Sequence, residues 1–292
     1  MQIRFLATAG LYFMLAASAC AEEKFLLRPA WEPGKIYTQE NVTDINMSIP
    51  ALGAGGQKTL LTQTMVITVS KDSVADRKLA EVKLATIKGT IGMMGQNMAY
   101  DSTDPAKSSP ILQQTFGAMA GKTFTVVYDK DDKFVETRNL EDLAPTPLGQ
   151  GKGMSGQQLS EAFRKAQELG LPEKPVAVGE TWTFEETLNM PPVGGIVIKA
   201  SSKFESIVTQ DGHRQAKLIV DGKFETPAGT DAKQLVEFAE GSQFSGTVYF
   251  DLDRKVISSS EILSDLKLKF AGNEAGVTQS VKNQLISIKD AK

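Results

Sequence analysis

Two stretches of this chain align with each other without a gap, and that repetition limits the fold more than any other feature. Thr125-Val126-Val127-Tyr128-Asp129-Lys130-Asp131-Asp132-Lys133-Phe134-Val135 matches Thr247-Val248-Tyr249-Phe250-Asp251-Leu252-Asp253-Arg254-Lys255-Val256-Ile257. In each, β-branched and aromatic residues run into a polar turn rich in aspartate and leave it through a second apolar run. That is the composition of strand, turn, strand.

The parts before the two hairpins recur in the same order. Each copy opens on a turn glycine followed by an aromatic strand, Pro33-Gly34-Lys35-Ile36-Tyr37-Thr38 in one and Val178-Gly179-Glu180-Thr181-Trp182-Thr183 in the other. Long strand-like runs follow, at 60–69 and 78–88 in the first copy and at 196–208 and 215–220 in the second. Turn clusters such as Lys71-Asp72-Ser73 and Gln210-Asp211-Gly212-His213 separate them. An aromatic strand end then enters a turn, at Tyr100-Asp101-Ser102 and at Phe224-Glu225-Thr226. A short helix is expected next in both copies. The first is capped by Ser109, begins at Pro110, carries Ile111, Leu112, Phe116 and Met119, and stops at Gly121. The second starts at Thr230, carries Leu235, Val236, Phe238 and Ala239, and stops at Gly241.

A segment rich in Pro and Gly at 143–156 joins the copies, and an amphipathic helix follows it. Ser155 and Gln158 suit a capping box, Leu159, Phe163, Ala166 and Leu169 recur at helical spacing, and Gly170 with Pro172 ends the run. The expected organisation is a signal peptide over 1–21, a first β unit over 22–142, a linker with the amphipathic helix over 143–174, and a second β unit over 175–292. The expected fold is mainly β: two related antiparallel units, as curved sheets or half-barrels, with a few short helices. Keeping both copies has a simple physical reason, since each sheet can cover the other's apolar face. One sandwich, one strongly curved sheet and two adjacent half-barrels all suit this pattern, and two lobes side by side with helices against their concave faces are the preferred arrangement.

The leader reading rests on Arg4, an apolar stretch from Leu11 to Ala17 and small residues before Glu22. A spanning helix needs about 20 predominantly apolar residues, and this stretch is shorter and interrupted by Gly10. Export to the periplasm or the medium is therefore expected. Two cleavage points compete. Ala19-Cys20-Ala21 before Glu22 suits release of a soluble chain, whereas Ala17-Ser18-Ala19-Cys20 looks like a lipobox that would leave Cys20 lipidated and the protein tethered to the envelope membrane. The soluble form is favoured, because leucine is the commoner residue where Ala17 stands. A single cysteine excludes an intrachain disulfide, so the core must hold the fold. Cleavage before Glu22 leaves 271 residues with 31 basic and 35 acidic side chains, a net charge of −4, and no basic cluster. Nucleic acid is not an expected partner.

Chemistry-bearing residues are sparse. His213, the sole histidine, sits in a turn with no cysteine or second histidine to complete a zinc set, and no nucleophile elbow supplies a serine for it. Asp129, Asp131, Asp132, Asp251 and Asp253 suggest calcium, but aspartate is also a favoured turn residue that bonds its own backbone, and the spacing of an EF-hand is missing. They read as hairpin turns. Glu185 and Glu186 are neighbours on a strand and point to opposite faces; Glu237 and Glu240 are the other acidic pair. The glycines at 53, 55 and 56 form no phosphate loop. Gly89 to Met98, with three methionines among glycines, suits either a lip over an apolar groove or a buried strand with glycine kinks, and the buried strand is expected. No catalytic residue, cofactor or metal is expected.

Tyr100-Asp101-Ser102, Gly121-Lys122-Thr123-Phe124-Thr125-Val126, the aspartate turn and Gly179-Glu180-Thr181-Trp182 resemble a bacterial family of exported proteins, the domain of unknown function numbered six-two-six-three. The resemblance covers most of the mature chain and implies neither an activity nor site residues. The function expected on these grounds is that of a non-enzymatic envelope protein, a binding or structural module presenting an apolar groove to a lipid or an envelope protein. A carboxylate-based hydrolase acting on envelope polysaccharide is the alternative.

Overall fold

The computed structural model describes residues 23–48, 56–93, 96–117, 119–139, 170–190, 194–227, 236–270 and 273–291. The segment expected to be a signal peptide, Cys20 and the segment expected to form the amphipathic helix of the linker lie outside them. The first unit supplies β1 (Lys35–Ser48), β2 (Gln57–Lys71), β3 (Arg77–Met93), β4 (Gln96–Asp101), helix α1 (Pro110–Phe116), β5 (Thr123–Asp129) and β6 (Phe134–Arg138). The second supplies β7 (Thr181–Met190), β8 (Gly194–Gln210), β9 (His213–Glu225), β10 (Val236–Phe238), β11 (Gln243–Asp251) and β12 (Val256–Phe270), and β13 (Asn273–Asp290) follows.

All 13 strands belong to one antiparallel sheet of order β6-β5-β3-β2-β1-β13-β12-β11-β9-β8-β7, with β4 added to β3 and β10 to β12. The first unit reads β6-β5-β3-β2-β1 and the second β12-β11-β9-β8-β7, so corresponding strands hold corresponding places. Between them stands β13, paired to β1 on one side and to β12 on the other. The units do lie side by side, but as one continuous sheet and not as two lobes.

The repeat extends to details of backbone geometry. Both hairpins carry a register shift at the same aligned step, between Val127 and Tyr128 and between Tyr249 and Phe250. Asp129 Oδ1 accepts the N–H groups of Asp131 and Lys133 at 2.8 and 2.9 Å, and Asp251 Oδ1 accepts those of Asp253 and Arg254 at 3.0 and 2.7 Å. Aspartate thus builds the turn by bonding its own backbone, as expected. Gly34 and Gly179 both take the left-handed conformation, at φ 86° and 90°, which a side chain would strain. Their N–H groups donate to Val69 and Phe204 at 2.8 and 2.6 Å.

Equivalent apolar clusters close one end of the sheet. In the first unit Trp31, Tyr37, Val69, Val82 and Tyr128 pack together, with the Trp31 ring edge-on to Tyr37 at 5.0 Å. In the second, Leu27, Val176, Phe204, Leu218 and Phe250 do so, with Trp182 against them. A strap over residues 25–31 joins the two clusters. Phe25 and Val176 exchange backbone hydrogen bonds, Ala30 N–H donates to the Lys255 carbonyl at 2.8 Å, and Trp31 N–H donates to Asp132 Oδ1 at 2.9 Å. The strap therefore ties the turn of each hairpin to the other.

Helix α1 forms where Ser109 and Pro110 predict it and lays Leu112 and Phe116 against Ile87 and Tyr100 of the same sheet face. Of its expected counterpart, residues 230–235 lie outside the described residues, and 236–238 form β10, paired to β12, with Phe238 stacked on Phe224 at 5.7 Å. Residues 89–93 and 96–98 belong to two antiparallel strands, β3 and β4, half-buried to exposed where described, in place of the one buried strand expected, and 94–95 lie outside the described residues.

Asp101, which ends β4, accepts the hydroxyl and N–H of Thr103 at 2.6 and 2.8 Å and faces Lys88 at 3.1 Å. These contacts, Thr103 foremost, hold its carboxyl down to about 2. A folded-state pKa below the ordinary 3.8 stabilises the fold fully above that value, and the contribution is lost as pH falls toward about 2. Acid titration of Asp101→Asn is therefore expected to show a shallower loss of stability between these limits than the parent. An unchanged slope overturns the assignment.

Candidate functional site

Eleven strands laid flat would hold β6 and β7 about 48 Å apart, at ten spacings of roughly 4.8 Å. Yet Tyr128, Asp132 and Phe134 beside one edge and Trp182, Phe184 and Glu186 on the other line a single cleft of about 820 Å³. The sheet is therefore rolled until its edges face each other, and it stops short of closure, because β6 and β7 are not paired to each other. The cleft is this seam. The strap supplies Leu27, Arg28, Pro29 and Trp31 to one wall, and Leu171, Pro172 and Val176, which precede β7, supply another.

Local structure fixes each aromatic. Trp182 follows the Gly179 turn on the inward-facing positions of β7, and its Nε1–H donates to the Gly170 carbonyl at 3.2 Å. The Ser202 hydroxyl donates to the same carbonyl at 3.1 Å. Trp31 is held by its backbone bond to Asp132 and by Tyr37. The chain's two tryptophans, Trp31 and Trp182, therefore both line the seam. Burial pushes the Tyr37 phenol above its ordinary value.

The polar lining is mixed. Asp132 is committed: Oδ1 binds Lys78 Nζ at 2.7 Å as well as Trp31 N–H. Arg28, Lys133 and Lys174 are the cations of the lining, and Glu173 and Glu186 its other acids. Among the described residues no carboxylate lies within ion-pair distance of Lys133 or Lys174. The structure also splits Glu185 from Glu186 as alternation requires, with Glu186 in the cleft.

His213, Asp251 and Asp253 bring one donor atom each to within 4.8 Å of one another. Their oxygens are already engaged. Asp251 Oδ2 accepts from Gln215 Nε2 at 3.1 Å and from Arg254, and Asp253 accepts from the Arg214 N–H at 2.8 Å. The Arg214 backbone bond is the main reason the Asp253 carboxyl is lowered. Arg254 Nε is bound to Asp251 Oδ2, and the Asp251 and Asp253 carboxylates serve here to pin the hairpin turn to its neighbours. Sequence reasoning missed the seam, because its two walls come from residues 36 apart in the sequence at their nearest, Phe134 and Gly170. The one available signal was that each tryptophan lies three residues from the glycine turn that opens its copy, Trp31 before Gly34 and Trp182 after Gly179.

Among the described residues no helix is long and apolar enough to cross a membrane. No curated protein matches this chain. Among solved structures, a lipovitellin studied for its lipid–protein interactions matches with a TM-score of 0.47 and 10% identity, over 90% of this chain and 26% of that one. This chain thus spans about a quarter of that protein. A Bacteroides fragilis protein with a YmcC-like fold matches at 0.26 and 11% identity over 91% and 100% of the two chains. A β-barrel-like protein of DUF1849 from Brucella abortus matches at 0.23 and 8% identity over 88% and 98%. The family model that matches runs over residues 76–252, from the turn before β3 to the turn after β11, and it places this chain in the Family of unknown function (DUF6263).

Proposed function

We propose that this protein is an exported, non-enzymatic binding module of the bacterial envelope and that its seam cleft receives an apolar ligand. The observation that carries the reading is the convergence of Trp31, Trp182, Phe134 and Phe184 on a cleft left between the two sheet edges. Aromatic walls with a few polar groups at the rim are what apolar ligands fill. The hydrolase alternative has no observation of its own in its favour.

The test uses the chain's own tryptophans. Titration with the apolar probe N-phenyl-1-naphthylamine is expected to show saturable energy transfer from tryptophan, and Phe184→Ala is expected to weaken binding about tenfold through lost apolar contact. No transfer, or equal binding by the variant, overturns the reading. For export, the intact mass of protein taken from its own envelope is expected to match a chain beginning at Glu22. A mass matching a diacylated Cys20 start overturns the soluble form, and an uncleaved chain overturns export.

A further inference from the structure

The junction between the two units occurs twice around the rolled sheet, and among the described residues it is filled once and open once. Between β1 and β12 stands β13, antiparallel to both. Since β7 is the counterpart of β1 and β6 that of β12, the seam is the same junction, and among the described residues no strand stands in it. Strand directions say the same. Along the eleven strands of the main order direction alternates, so the first and last, β6 and β7, run the same way. Direct closure would need a parallel ladder in an otherwise antiparallel sheet. One more strand, antiparallel to both edges, would close it with an even number, as antiparallel barrels generally do.

The first unit's own sequence does not offer that strand. The register that aligns Thr125 with Thr247 sets β13 opposite residues 151–168, where Leu159, Phe163 and Ala166 recur at helical and not alternate spacing. The same register sets Pro145 and Pro147 opposite the far end of β12, and proline lacks the N–H that an interior strand needs.

We propose that the seam is a strand-acceptor site. An extended segment of a second polypeptide, apolar at alternate positions and carrying a carboxylate at its C-terminal end, adds between β6 and β7 antiparallel to both. Such β-augmentation draws affinity from main-chain hydrogen bonds and selectivity from pockets for alternate side chains, here the aromatic lining. This rests on the seam as a binding cleft and names its occupant. The direction of the edges fixes the direction of the guest: its C-terminal end reaches the end that the strap closes, where Arg28, Lys133 and Lys174 line the cleft. In the filled junction the same end of β13 carries Asp290, paired to Lys35 at 2.8 Å.

The probe is a synthetic peptide of the β13 sequence, Asn273–Asp290, labelled at its N-terminus and added to the full chain. Saturable binding by fluorescence anisotropy is expected, with amide exchange slowed in β6 and β7 and unchanged in β1 and β12. Amidating the peptide's C-terminus, or combining Lys133→Glu with Lys174→Glu in the protein, is expected to weaken binding about two- to fivefold, the range of exposed ion pairs. A peptide with Ser280→Pro and Lys282→Pro is expected not to bind. Absence of saturable binding, protection confined to β1 and β12, or equal binding by the proline peptide overturns the proposal. If N-phenyl-1-naphthylamine still binds while the peptide does not, the strand acceptor falls and the apolar cleft stands; if neither binds, both fall.

Discussion

Phe250→Ala is expected to lower the stability of the protein by about 3–5 kcal/mol, the range for removing a fully buried phenylalanine ring. The ring is 0% exposed and packs with Leu27, Val176, Phe204, Ala216 and Leu218 at the closed end of the second unit. Collapse into the vacated space is resisted, because β11 is fixed by ladders to β9 and β12 and the strap is pinned by its bonds to Val176 and Lys255. Phe250→Leu keeps most of the apolar volume and is expected to cost less than about 1.5 kcal/mol. Leu263→Ala, at a side chain 52% exposed, is expected to stay within about 0.5 kcal/mol and serves as control. Denaturant unfolding measures all three. A loss below about 1 kcal/mol for Phe250→Ala would show that the cluster is not the keystone of that end.

The repeat, the hairpins and the order of parts along each unit were legible because they are local. Period-two patterning, the aspartate turns and the glycines at 34 and 179 act over a few residues, and the structure places each where the sequence does. What could not be read depends on contacts between distant parts of the chain. Lys35 pairs with Asp290 across almost the whole chain, and nothing in either strand names the other as its neighbour. Two units with equal internal order suit two lobes as well as one sheet; β13 decides between them, and it has no counterpart strand in the first copy's sequence pattern. Val236-Glu237-Phe238 shows the same limit on a smaller scale. The apolar spacing there suits a helix, but pairing to Leu268–Phe270 and the stack of Phe238 on Phe224 favour a strand, so tertiary contact overrides local pattern. The candidate site inherits this difficulty. Trp31 and Trp182 are conspicuous as residues, but their meeting at the seam follows only once eleven strands roll the edges together.

Deleting β13 is expected to have the largest effect of all, loss of the cooperative fold. A chain ended after Phe270 leaves β1, 14 residues long, and β12, 15 residues long, as two open edges, with the strap and the packing of Val256 into the first unit's cluster as described ties between the units. Long exposed edges pair with other chains, so aggregation is the expected fate. Because a truncation can fail for trivial reasons, a point change carries the sharper test. Val281 lies mid-strand, opposite Thr43 of β1 and Ile262 of β12. Flanked on both sides, β13 has no solvent-facing edge on which a proline's missing N–H would go unnoticed. Val281→Pro is therefore expected to cost about 3 kcal/mol or more, and Val281→Ala only about 1 kcal/mol. The difference isolates the ladder from the side chain. If β13 holds the units together, Val281→Pro unfolds in one transition at lower denaturant, reported alike by the tryptophans of both clusters. Two separated transitions would instead mean that each unit folds alone and that β13 merely lies between them.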